Sequence, residues 1–227
     1  ALLFTLLGSV VAYAVNGPIV GWQPLFQVPA GLGVPGFSEY LWYGALGVVS
    51  GVVAAMVPMV FYTVRDGFHA LPIPSHVKPA LGGLGVGLLA LALPQVLSGG
   101  YGWIQEAIDG QLAAKLLIIL VFAKMIGFAL TLSSGGSGGV FAPSLFVGAM
   151  LGGFLAQLSH QPAAPFVVVG MAAVFGGAAR VPIAAMLMVT EMTGGYNLLV
   201  AAGLAVMLSY IVQVAITGPL KYKSLYE

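Results

Sequence analysis

Ser134-Gly135-Gly136-Ser137-Gly138-Gly139-Val140-Phe141-Ala142-Pro143-Ser144-Leu145-Phe146-Val147-Gly148 joins a glycine-rich run to an apolar helical pattern. No Asp, Glu, Lys or Arg occurs between Lys124 and Arg180, which places this run at membrane depth. There, irregular backbone is tolerated only where protein buries it or where it lines a water-filled cavity. A helix that starts in such a cavity directs unpaired N–H groups and the positive end of its dipole into it. The stretch therefore predicts an anion site. Proline suits the first helical position, where its missing N–H would be unpaired anyway, so the helix is predicted to start near Ala142 or Pro143. Gly138 and Gly139 let the backbone approach a ligand with no Cβ in the way. Amides and an apolar wall at Phe141 would hold the anion by partial charge, with no full cation to trap it. Conduction needs that moderation.

Composition agrees with a membrane setting. The 227 residues are 60% hydrophobic and 6% charged, with mean hydropathy +1.06, whereas soluble domains carry roughly 25% charged residues. Gly 33 fits helices that pack closely in lipid. A net charge of +1 gives no case for nucleic-acid binding, which needs a clustered basic face. Cys 0 removes disulfides, thiolate metal sites and thiol catalysis. Ala1 is not an initiator methionine and no basic n-region precedes Leu2, so a fragment or processed product is expected rather than a signal peptide.

The pattern predicts an all-α, polytopic membrane protein with broken and re-entrant helices. Residues 1–15 are apolar but short of the roughly 20 needed for a span, and Asn16-Gly17-Pro18 is predicted to end them, followed by a Gly/Pro-rich connection to Gly36. Long helices are predicted from Phe37 to Val64, from Val77 to Val96 and from Leu112 to Leu132. The helix after the glycine-rich loop runs to Leu158; two short apolar pieces, split at residues 176–182, fill 165–192; a last helix runs to Ile216. Short hydrophobic segments broken by Gly and Pro are the signature of transporters whose discontinuous helices surround a midplane site. Lys124 and Arg180 are costly inside a membrane unless near an end or a cavity. Arg180, just before Pro182, is predicted to lie in a loop outside the hydrocarbon, and Glu191 to be a structural partner. His69, His76 and His160 sit near breaks and are predicted to be exposed. Lys221 and Lys223 favour a cytoplasmic C-terminus.

Residues 138–149, Gly-Gly-Val-Phe-Ala-Pro-Ser-Leu-Phe-Val-Gly-Ala, resemble an anion-binding signature of the CLC chloride channel and transporter family. The stretch from Ala178 through Arg180-Val181-Pro182 to Tyr196, and the ending Ser224-Leu225-Tyr226-Glu227, resemble the same family in the same order. The resemblance implies that residues 1–227 are the C-terminal half of the CLC membrane domain, half of its inverted-repeat fold, ending at the start of its last helix. It implies a chloride site formed by Gly138, Gly139, Val140, Phe141, Ala142 and Pro143, with the Val140 and Phe141 amides on the ion. Tyr226 donates its phenol hydroxyl in this reading, with Tyr222 as the reserve candidate. It further implies a homodimer, with residues 1–15 and 182–212 contributing to the interface. The chain is expected to be no enzyme, to bind no cofactor beyond the chloride it carries, and to lie in a lipid bilayer, expected to be a prokaryotic cell membrane. The family's gating and proton-handling glutamates, and its other anion-binding residues, would belong to an N-terminal half upstream of Ala1.

Two other readings remain. One is a transporter for fluoride or another anion within the same family. The other is an enzyme: Gly135-Gly136-Ser137-Gly138 fits the Gly-x-Ser-Gly motif of rhomboid-type intramembrane serine proteases. Such a serine needs a histidine base within hydrogen-bond reach. His160, the one histidine downstream, lies about 23 residues on, roughly 30 Å along a straight helix.

Overall fold

A computed structural model describes residues 2–29 and 36–226. Part of the connection ending at Gly36, and Glu227 of the closing motif, lie outside the described residues. The helices are α1 (Leu2–Val20), α2 (Phe37–Ala70), α3 (Lys78–Ala92), α4 (Tyr101–Ile108), α5 (Ala114–Ser133), α6 (Phe141–Leu158), α7 (Ala163–Ala179), α8 (Pro182–Thr193) and α9 (Leu199–Thr217). Single 3-10 turns at Pro94–Val96 and Tyr196–Leu198 precede α4 and α9. Five of these elements are long and apolar enough to cross a membrane, while α3, α7 and α8 are shorter apolar helices.

The boundaries correct the sequence reading in three places. Helix α1 does not stop at Asn16-Gly17-Pro18 but continues to Val20. Pro18 falls in its last turn, where the lost N–H removes a single bond, and Gly21 still donates to the Gly17 carbonyl at 2.9 Å. Trp22 folds back onto Gly17, occupying the space a Cβ there would need. Helix α2 runs on through Arg65 and Asp66 to Ala70, and its 34 residues extend about 51 Å, well beyond the hydrocarbon thickness of roughly 30 Å. The predicted span from Val77 to Val96 is a 15-residue helix that ends before Pro94.

Helix α7 is the hub. Every residue from Ala164 to Ala179 is buried, and the helix packs against α2, α6, α8 and α9. A short helix apolar on all sides can sit in a bilayer in this way, wrapped by longer neighbours. Its crossing with α6 is backbone on backbone. A Cβ at Gly152 would run into the carbonyl oxygen of Phe166, and one at Gly170 into that of Gly148. On the other side, a Cβ at Gly47 would lie 2.7 Å from the Ala205 carbonyl oxygen and one at Gly51 2.8 Å from that of Ser209, so α2 closes onto α9 in the same manner. Small residues at crossings of this kind are how helices associate where lipid offers no hydrophobic drive. Ser209 adds a buried bond between α9 and α7, donating to the Ala173 carbonyl at 2.7 Å.

Overpacking such a crossing costs about 1–3 kcal/mol or more. Gly152→Val is therefore expected to lower stability in detergent by about 2 kcal/mol or more, read from the midpoint of denaturant unfolding of the full-length protein. An unchanged midpoint would contradict the close approach.

Candidate anion-binding site

The glycine-rich loop begins with a glycine-dependent helix stop. Gly136 donates to the Thr131 carbonyl at 3.0 Å and Gly135 to that of Leu132 at 3.2 Å, with Gly135 at φ 99°. This paired pattern closes a helix and needs a left-handed residue, which glycine supplies without a Cβ penalty. Irregular backbone follows to Val140, the N-cap of α6. The first bond of α6 runs from the Ser144 N–H to the Val140 carbonyl at 3.2 Å. Pro143 is thus the third helical residue rather than the first, at no cost, because the whole first turn lacks intrahelical acceptors. Among the described residues, the Val140, Phe141 and Ala142 amides donate to no acceptor.

A cavity of about 480 Å3 opens at this helix end. Gly138, Gly139, Phe141, Ala142 and Pro143 line it, together with Lys124 and Thr131 of α5 and Ser98-Gly99 of the turn before α4. Asp and Glu are absent from the described lining. The structure therefore brings five of the predicted residues to one wall. Val140, the N-cap between them, packs its side chain against the hydrophobic core. The Phe141 ring meets Phe175 of α7 edge to face, 4.9 Å between centroids.

Tyr226 does not line this cavity. It is carried by a closing segment strapped to α7 and α9. Leu225 donates to the Ala178 carbonyl at 3.1 Å. Gln213, buried in α9, donates Nε2 to the Lys223 carbonyl at 2.7 Å, and Thr217 donates to the same carbonyl at 3.2 Å. Arg180 completes the strap, donating Nε to Gln213 Oε1 at 3.1 Å and Nη2 to Thr217 Oγ1 at 2.9 Å. Phe175 and Ala178 are three residues apart and so share one face of α7. The start of α6 and the closing segment are fastened to adjacent turns of that helix. The Tyr226 side chain is 61% exposed. The Tyr222 ring, by contrast, stacks on Tyr62 at 4.1 Å with the Arg65 guanidinium 4.8 Å from it.

One of the two predicted cation placements needs correction. Arg180 lies in the turn between α7 and α8, as the half-buried, left-handed C-cap of α7 at φ 59°. The polar side chains of α9 satisfy its guanidinium there. The candidate cavity, however, is not free of full cations. Lys124, near the middle of α5, is 1% exposed and lines the cavity. Its Nζ donates to the carbonyls of Val96 at 2.8 Å and Ser98 at 2.7 Å and lies 4.7 Å from the Phe146 ring. These bonds offset the cost of burying an ammonium. The sequence signal was present, a lysine amid apolar residues, but the carbonyls that accept from it lie 26 and 28 positions away.

Glu191 is a structural partner, accepting from the Tyr196 hydroxyl at 2.7 Å. His69, His76 and His160 are exposed, His69 within the last turn of α2. The protease reading fails on geometry. Unbroken α6 separates Ser137 from His160, and its 18 residues extend about 27 Å.

Broken helices around a glycine-rich loop, with a helix N-terminus opening into a cavity, fit a polytopic membrane fold of the transporter type. The family model described as voltage gated chloride channel matches residues 1–214, and the chain belongs to that family. The chain is 32% identical to chloride channel protein CLC-f of Arabidopsis thaliana, over 88% of this chain and 29% of that protein. Its fold matches a slow cyanobacterial Cl-/H+ antiporter at TM-score 0.84 and 24% identity, covering 93% of this chain and 52% of that one. It also matches a CLC-type fluoride/proton antiporter at TM-score 0.74 and 21% identity, covering 87% and 49%. The chain thus spans about half of the two structures and less than a third of the plant relative.

Gln213→Leu removes one of the two donors to the Lys223 carbonyl and the acceptor of Arg180 Nε, a loss of about 1–3 kcal/mol. Faster hydrogen–deuterium exchange across residues 218–226 is the expected result. Unchanged exchange would contradict the strap.

Proposed function

We propose that this chain forms one wall of a chloride-conducting pathway in a membrane. The observation that carries this reading is the α6 N-terminus, whose unaccepted amides stand at a cavity lined by no described acid. Roughly half a positive charge resides at a helix N-terminus, enough to attract an anion and weak enough to release it. The Val140 and Phe141 amides are the proposed donors to the ion, with Gly138 and Gly139 leaving the approach open. Tyr226 is the better candidate for a phenol donor than Tyr222, because its ring is exposed while that of Tyr222 is engaged by Tyr62 and Arg65. A neutral hydroxyl donates without adding fixed charge.

The partner of this wall is an N-terminal half of the same membrane domain, and the whole protein is proposed to be a homodimer in a cell membrane. Apolar residues exposed on α8 and α9, among them Ile183, Leu187, Val200 and Ile211, supply a face for lipid or a second subunit. A fluoride transporter is the second reading, supported by the fold shared with the fluoride/proton antiporter.

Gly139 offers a clean test, because it lines the cavity and a Cβ there meets nothing within 4 Å. Gly139→Leu in the full-length protein is expected to leave thermal stability unchanged and to cut chloride flux from proteoliposomes at least tenfold. Undiminished flux would rule out the proposed wall.

A further inference from the structure

We propose that the Lys124 ammonium supplies the charge that draws anions into the cavity at the start of α6. This rests on the reading of that cavity as an anion site and adds a residue that sets its affinity. Lys124 is buried, yet its described acceptors are neutral: the Val96 and Ser98 carbonyls and the face of Phe146. Among the described residues the ion pair found is Arg65–Asp66, far along the chain from this wall. A buried ammonium without a carboxylate leaves its charge for a mobile countercharge, because a desolvated ion is costly until paired. The cavity is where such a countercharge has access.

Its position is built rather than incidental. Ser98 at φ 55° and Gly100 at φ 74° turn the chain so that the carbonyls of residues 96 and 98 meet Nζ. A Cβ at Gly100 would sit 2.5 Å from the Phe146 ring and 3.6 Å from Nζ, so the glycine lets ring and ammonium come together. The full charge of Lys124 exceeds the roughly half charge of the α6 terminus. In a site of low effective dielectric its field is felt across several ångströms. The two carbonyls temper that field, which keeps the cavity attractive to anions without making it a trap.

The test is chloride titration calorimetry on the full-length protein, comparing wild type with Lys124→Arg, Lys124→Gln and Thr131→Lys, each checked for its melting temperature. Lys124→Gln keeps a donor for the carbonyls and removes the charge; about tenfold weaker binding is expected. Lys124→Arg should stay within about threefold of wild type. Thr131→Lys leaves the Lys124 clamp untouched and adds a cation to the same wall, so severalfold tighter binding is expected. Three results overturn the proposal: Lys124→Gln binding like wild type, Arg and Gln variants weakened alike, or Thr131→Lys without effect. Wild-type protein that binds no chloride would overturn the anion reading itself. Wild-type binding that Lys124→Gln leaves unaltered would remove only Lys124's role.

Discussion

The backbone-to-backbone crossing of α6 and α7 is the constraint on which the rest of the structure depends. Gly148, Gly152 and Gly170 bring the two helices within reach of each other's carbonyls. With the helices fixed so closely, Phe141 at the start of α6 rests its ring on Phe175, and the helix begins half-buried at the cavity. That terminus carries three amides with no intrahelical acceptor, and nearby described backbone does not satisfy them. In the proposed anion reading, the attraction of the cavity for anions follows from packing before any charged side chain is considered.

Charge is then placed by long-range hydrogen bonds to backbone and neutral side chains. Lys124 is held by two carbonyls, Arg180 by a glutamine and a threonine, and neither faces a described carboxylate. The two cations do different work. Arg180 strengthens the strap that carries Tyr226, while Lys124 stands on the cavity wall. Lys124 brings positive charge to a buried helix position and Arg180 to a half-buried helix end, and both are tolerated because polar partners are already in place.

Much of this was legible in the sequence. The uncharged stretch from 125 to 179, the glycines of 135–139 and the proline at 143 located the loop and the start of α6 to within two residues. The break at residues 176–182 separated α7 from α8 correctly. Helix ends governed by a single nonlocal contact were not legible. Pro18 looked like a stop, yet it lies in a last turn that Trp22 covers through Gly17. The span expected to Val96 was cut short by Pro94. The position of Lys124 on the cavity wall and the strap through Gln213 depend on partners tens of residues away or on α7, which local patterning does not encode. Tyr226 was nominated by family resemblance, and the strap now gives a physical reason for where its segment lies.

The central claim is that an anion sits against the first turn of α6. Crystals of the full-length protein grown in bromide would test it by anomalous diffraction. A bromide peak within hydrogen-bond distance of the Val140 and Phe141 amides, about 3.0–3.5 Å, is the predicted result. Anomalous peaks found elsewhere, with none at that helix start, would contradict the account.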